Sequence, residues 1–250
     1  MKSNYQYFAH YYDCLTGNID YDKRAGYFDM LIKKFGGRQG GVLIDLACGT
    51  GSLSERFCRA GYDVIGVDSS SEMLSIAFNK KINENLDIQY ICQDMTELDM
   101  FGTADITICA LDSLNHLGSL DDIRKTFEKV SEFTEINGLF IFDMNTVYKH
   151  KNILADNVFI YETDDVYCVW ENSYTEKNNE VSINLEFFER DGDIYRRYSE
   201  NFSEIAFDTE IIDNILINSG FEILAHYDED STQPVRNDSQ RIVFAARKVR

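Results

Sequence analysis

Between Val42 and Asp143 short apolar runs alternate with amphipathic stretches. The apolar runs predict strands at 42–46, 62–67, 87–92, 104–109 and 138–143. The amphipathic stretches predict helices at about 20–35, 52–60, 71–83 and 119–135. The last of these opens Ser119-Leu120-Asp121-Asp122, a serine placed to cap and acids in the first turn. Strand and helix in alternation predict an α/β, doubly wound, mostly parallel sheet. After Asn145 the period drops to two. Val181, Ile183, Leu185 and Phe187 alternate with polar partners, and Val166, Cys168 and Trp170 form one side of an earlier run. Lys177-Asn178-Asn179 and Asp191-Gly192 mark turns, the second a strong hairpin dipeptide. This predicts a small antiparallel sheet of three or four strands inserted after the fifth core strand. A helix at about 208–219, closed by Gly220, and strands at 221–228 and 240–247 complete the core. The expected organisation is a core domain of residues 1–145 plus 206–250, with 1–35 as a helical arm, and an inserted β subdomain at 146–205.

The densest chemistry lies in Leu43 to Ser54, LIDLACGTGSLS, which runs from an apolar strand through a glycine turn into a helix start. Gly49 and Gly51 allow the backbone to approach a ligand closely. Asp68 follows Gly49 by nineteen residues, at the tip of the next strand, where a carboxylate can accept from both hydroxyls of a ribose. These residues describe a nucleoside pocket at the carboxyl end of a parallel sheet. A dinucleotide fits them poorly. Its fingerprint, G-x-G-x-x-G, needs a third glycine for close helix–strand packing, and the positions here hold Ser52 or Ser54. Asp45 in the turn is also misplaced beside a pyrophosphate, which needs backbone N–H groups. It suits a ligand that carries an ammonium group.

Asp45-Leu46-Ala47-Cys48-Gly49-Thr50-Gly51 resembles the first motif of the class I methyltransferases that use S-adenosyl-L-methionine (SAM). The resemblance extends in order through Val64–Leu74, Cys92–Met95, Phe101–Cys109 and Asn137–Asp143. Phe8-Ala9-His10-Tyr11-Tyr12-Asp13 is similar to the F-A-x-x-Y-D opening of a bacterial subgroup that includes amino-sugar N-methyltransferases. It implies a seven-stranded Rossmann-like sheet, SAM as cofactor and S-adenosylhomocysteine as product. It also implies roles for residues. Ala47, Gly49 and Gly51 would receive the amino acid part of SAM, and Asp45 would orient that turn or face the ammonium. Asp68 would hold the ribose, with Ser69 and Met73 along the adenine. Gln93, Asp94 and Met95 would hold the adenine edge, and Leu111, with Asp112, would wrap the methionine part. Tyr12 would reach the cofactor from an arm that closes over it, in an aromatic cluster with Tyr7, Phe8 and Tyr11. Arg24 is a further candidate, for the SAM carboxylate.

The chain has 250 residues, enough for one or two domains, and a net charge of −19. That field repels a phosphate backbone and favours a cationic or amine acceptor. No apolar run approaches a membrane span, and the first residues lack the apolar core of a secretory signal, so the expected location is cytoplasmic. The six cysteines are scattered without a C-x-x-C pair, which predicts small buried hydrophobes and no metal site. Ala110-Leu111-Asp112-Ser113 replaces the N/D-P-P-Y/F sequence that many enzymes acting on nucleic-acid bases or glutamine carry there. A general base, if the acceptor needs one, is best supplied by His116 just past the fourth strand; His10, His150 and His226 have no supporting context. The expected function is therefore methyl transfer to nitrogen or oxygen of a small molecule by a monomer or homodimer. The alternatives are an RNA or protein methyltransferase, or a SAM-binding regulator without catalysis.

Overall fold

The computed structural model describes residues 6–17 and 19–250, with the side chains at 6, 7, 8, 10 and 14 left out. Tyr7, Phe8 and His10 of the N-terminal motif therefore lie outside the described side chains. Five strands come first: β1 (Val42–Leu46), β2 (Asp63–Asp68), β3 (Ile88–Cys92), β4 (Ala104–Cys109) and β5 (Thr134–Asn145). Four follow in the insert: β6 (Val158–Glu162), β7 (Val166–Thr175), β8 (Glu180–Asp191) and β9 (Ile194–Ile205). The chain ends with β10 (Phe221–Asp228) and β11 (Arg241–Lys248). Seven strands form one sheet in the order β10-β11-β5-β4-β1-β2-β3, with β11 antiparallel to both neighbours and the other core pairs parallel. The insert forms a separate antiparallel sheet, β6-β7-β8-β9. β1 pairs with β2 on one side and β4 on the other, so the winding reverses between β1 and β4. A crevice opens at such a switch point, beyond the carboxyl ends of the strands.

The helices are α1 (Gln6–Leu15), α2 (Tyr21–Lys34), α3 (Ser52–Arg59), α4 (Ser71–Asn83), α5 (Leu120–Glu132), α6 (Val147–Lys149) and α7 (Thr209–Asn218). Strand alternation sends Ile44 and Leu46 to one layer and Leu43 to the other. The first layer packs Phe127, Phe140, Phe142 and Phe244, and the second packs Phe28, Leu31, Ile32 and Phe57. Ser119 caps α5 by accepting from the Asp122 N–H at 3.2 Å. That helix stops at Glu132, three residues short of the expected end, and β5 starts at Thr134, four residues early. Thr134 already pairs with Ala104, and the next pair is Ile106 with Leu139. The residues between bulge out, and they close so tightly that a Cβ on Gly138 would lie 2.8 Å from the Glu135 carbonyl oxygen.

The insert is not hung loosely on the core. Val181, Ile183, Leu185 and Phe187 are all buried, against Ala9, Tyr11 and Leu15 of α1 and Met73 of α4. Burying each such side chain stabilises by about 1.5–3 kcal/mol. The Tyr11 and Phe187 rings stack at 5.9 Å. The arm is thus a helix clamped between the inserted sheet and the core. Asp13 ties the same helix to the core: its carboxylate accepts from Thr50 Oγ1 at 2.6 Å and pairs with Lys80 Nζ at 2.5 Å.

Candidate active site

The tips of β1, β2 and β3 are laced together. Cys48 N donates to the Val67 carbonyl at 3.0 Å and Gln93 N donates to the Asp68 carbonyl at 3.0 Å. Asp68 supplies the side-chain link: Oδ2 accepts from Gly49 N and Oδ1 from Ser70 N, both at 2.8 Å. Each carboxylate oxygen has a second acceptor site, so two remain for hydroxyls of a ligand. Burial raises the Asp68 carboxyl, and the Ser70 and Gly49 N–H groups oppose that shift.

The two glycines of the turn differ. Gly49 has φ +55°, and a Cβ there would meet nothing within 4 Å. Its bare face lines the cavity. Gly51 has φ +77°, and a Cβ there would sit 2.3 Å from Tyr90 Oη. Its lack of a side chain makes room for Tyr90 behind the turn. Asp45 is also behind it, 2 % exposed, accepting from Ser54 Oγ at 2.5 Å. Burial pushes its carboxyl up to about 7 against the opposing Ser54 bond. Neither Gly51 nor Asp45 lines the cavity; both shape the turn from the rear.

The cavity beyond the turn has a volume of about 1420 Å3. Small-molecule pockets usually measure about 300–1,000 Å3, so there is room for a cofactor and an acceptor together. Ala47, Gly49, Asp68, Ser69 and Met73 form one side, and Gln93, Asp94 and Met95 continue it. Gln93 is braced by a reciprocal pair with the Asp99 backbone, both bonds at 3.1 Å. Asp94 caps the following turn by accepting from Thr96 N at 2.8 Å. Tyr12 reaches the cavity from α1, and burial, with Tyr21 and Asp112 nearby, pushes its hydroxyl well above the usual phenol range.

The opposite wall is built on a strained turn. Leu111 and Asp112, just past β4, have φ of 61° and 55°. Non-glycine residues there cost about 1–3 kcal/mol each. The turn persists because both N–H groups aim at one buried carboxylate: Asp143 accepts from Leu111 N at 3.0 Å and Asp112 N at 2.7 Å. Two successive N–H groups around an anion form a nest. Asp143 is clamped from its other side by Arg24 Nη1 at 3.1 Å and Arg241 Nη1 at 2.6 Å. Arg241 also donates to Asp112 at 2.9 Å, and Arg24 Nη2 donates to Glu229 at 2.9 Å. Arg24 lines the cavity, but both its terminal nitrogens already hold carboxylates. Burial alone would raise the Asp112 carboxyl; Arg241, Lys149 and His116 hold it well below the usual carboxylate range instead. Burial and the Arg241 charge together lower the Lys149 ammonium.

His116 lies on the same wall, its ring tilted against Phe202 at 5.4 Å. The residues that sequence reasoning missed are Asp143, Arg241, Lys149, Glu229 and Glu204. Only Asp143 left a trace, as a lone acid inside the apolar run Leu139–Met144. His226 pairs with Asp213 at 2.9 Å on the rear of the sheet.

The chain is similar to known methyltransferases. Residues 43–138 match the family model described as a methyltransferase domain. A SAM-dependent methyltransferase from Clostridium acetobutylicum ATCC 824 superposes with a TM-score of 0.88 at 35% identity, covering 98% of this chain and 99% of that one. A Bacillus subtilis (strain 168) protein named as a candidate methyltransferase is 31% identical over 246 residues, 98% of this chain and 97% of its own. A glycine/sarcosine N-methyltransferase from Halorhodospira halochloris is 34% identical over 131 residues, 50% of this chain and 48% of that protein. The bare face of Gly49, the two open acceptor sites of Asp68 and the cavity beyond them fit SAM. With relatives so similar along nearly its whole length, the chain belongs to the SAM-dependent methyltransferases.

Proposed function

We propose that the chain methylates the nitrogen of a small-molecule amine. The observation that carries this is the charge of the cavity wall: among the described residues, nine carboxylates line it against four cationic side chains. Asp112, Glu204, Glu229 and Asp230 are among those acids. An excess of carboxylates in a partly desolvated space attracts ammonium groups and repels phosphates and carboxylic acids. Tyr161 and Trp170 of the insert add aromatic faces, which favour a cation. The whole chain, at −19, adds to the same field. The partial relative that acts on glycine and sarcosine is named for transfer to nitrogen, which is in keeping with this reading.

In this reading Gly49 lies against the amino acid part of SAM, Asp68 holds its ribose, and Asp94 and Met95 border its adenine. SAM, when bound, supplies a methyl group on a sulfonium, which an acceptor lone pair displaces in line with sulfur as the leaving atom. The insert covers the acceptor, excludes water and sets specificity. His116 takes a proton from the acceptor. The test is S-adenosylhomocysteine formation with a panel of amines, phenols, bulk tRNA and purified proteins. Turnover with amines is expected. Turnover with tRNA or protein alone would overturn the substrate class.

A further inference from the structure

We propose that Phe159, Tyr161 and Trp170 of the insert form an aromatic corner that binds an N-alkylated ammonium, so that the acceptor is an amine already carrying alkyl groups on nitrogen. The proposal rests on the amine reading above and names the kind of amine.

Strand alternation builds the corner. Phe159 and Tyr161 are two apart on β6 and share a face. Trp170 of β7 pairs with Phe159 in the ladder, so its side chain joins them. All three line the cavity. The Phe159 and Trp170 centroids are 6.3 Å apart with planes at 78°, and those of Tyr161 and Trp170 are 6.2 Å apart at 43°. The rings therefore meet as angled walls; a face-to-face stack would cover the inner faces. Leu154 and Ile183, of the same apolar cluster as Tyr161 and Trp170, also line the cavity.

Hydrogen bonding decides which ammonium fits. The Trp170 indole N–H is spent: it donates to Asn172 Oδ1 at 2.6 Å. Asn172 is itself 4 % exposed and donates to the Leu154 carbonyl at 3.3 Å, so the indole is held in place. What Trp170 offers the cavity is its ring. Phe159 has no polar side-chain atom, and the Tyr161 hydroxyl is the one acceptor among the three side chains. A primary ammonium desolvated against such rings leaves most of its N–H groups unpaired. Each alkyl group on nitrogen removes an N–H and adds apolar surface while the charge stays, and a ring face attracts that charge. The carboxylates of the cavity pull on any ammonium alike, and the corner supplies the choice among them.

Trp170 is the chain's single tryptophan, so its emission reports on this site. The experiment follows that emission, excited to the red of tyrosine, in the full chain saturated with S-adenosylhomocysteine. Choline, ethanolamine or 3,3-dimethylbutan-1-ol is added. Choline and the alcohol share a shape and differ in charge; choline and ethanolamine share the charge and differ in the N-methyl groups. Choline is expected to change the emission saturably, with roughly fivefold to thirtyfold weaker binding of the other two, the worth of a desolvated cation on aromatic walls. Phe159→Leu keeps apolar bulk and removes one ring face. It should weaken choline by roughly twofold to fivefold and leave the alcohol unchanged, a split that altered packing alone would not produce. Among amines that turn over, N-alkylated ones should have a lower KM than their unalkylated parents.

Ethanolamine binding as tightly as choline overturns the proposal. So does choline that leaves the Trp170 emission unchanged, or a choline affinity unmoved in folded Phe159→Leu. If that variant does not fold, the comparison of choline with ethanolamine decides alone. Choline bound at Trp170 in a chain that methylates no amine upholds the corner and sinks the amine reading. Amine turnover with Trp170 silent to choline does the reverse.

Discussion

Replacing Asp143 by asparagine should unsettle the acceptor wall more than any surface change. Asp143 has no exposure and accepts from four donors: Leu111 N, Asp112 N, Arg24 and Arg241. Asparagine keeps the shape but removes the charge and turns an NH2 toward some of those donors. Arg24 and Arg241 are 6 % and 7 % exposed, so water cannot replace what they lose. Breaking a buried ion pair by removing one partner costs about 3–5 kcal/mol. Glu229 and Asp112 still hold the guanidiniums, which argues for the lower end. Whole domains are stable by only about 5–15 kcal/mol. At ~2–4 °C per kcal/mol for a chain of this size, the melting temperature should fall by roughly 6–20 °C. Differential scanning calorimetry measures it. Asp121→Asn is the control: that acid is solvent-exposed beside Arg124 and Lys125, and its loss should leave melting unchanged. An Asp143→Asn protein that melts with the wild type would refute the reasoning, because the strained turn would then hold without its anion.

Three further outcomes are expected. Gly49→Ala should keep most of the fold but weaken SAM binding in calorimetry, because its methyl group enters the cavity; equal affinity would move the cofactor off the turn. Gly51→Ala should instead destabilise the fold by about 1–3 kcal/mol through overpacking on Tyr90, and Tyr90→Phe should restore part of it; no restoration would place the clash elsewhere. Burial raises the Asp45 carboxyl from 3.8 to about 7, so its proton stabilises the fold fully below about pH 4 and that stability is lost as pH rises through about 7. Urea midpoints of the wild type should therefore decline relative to Asp45→Asn across that window, and parallel curves would contradict it.

The core strands, the four main helices and the inserted sheet were legible because each shows a clean period, 3.6 or two, between turn residues. The Gly49 turn and Asp68 were legible because their spacing within one βαβ unit is local. The wall opposite was not. Arg24 meets Asp143 across 119 positions and Arg241 meets it across 98. No local pattern announces contacts made only where α2 packs on the sheet and where β11 returns antiparallel beside β5. Glu204 was hidden in another way: in Ser199-Glu200-Asn201-Phe202-Ser203-Glu204 the polar residues alternate with one aromatic, so the inward face does not read as apolar. The role of α1 was half visible, since its aromatics called for a partner but not for the inserted sheet. Gly51 reads as a ligand contact in the motif and Asp45 as orienting the turn or facing an ammonium; in the structure Gly51 abuts Tyr90, Asp45 at the end of β1 holds Ser54, and neither lines the cavity.

The claim on which the rest depends is that SAM sits against Gly49 with its ribose on Asp68. Isothermal titration of S-adenosylhomocysteine into the wild type and Asp68→Asn tests it most directly. The wild type should bind in the micromolar range, about −8 kcal/mol. Asp68→Asn should lose about 1.5–3 kcal/mol, the worth of hydrogen bonds to a charged acceptor, which is roughly a tenfold to hundredfold weaker Kd. Equal affinity in a folded Asp68→Asn protein, or no binding by the wild type, would contradict the account.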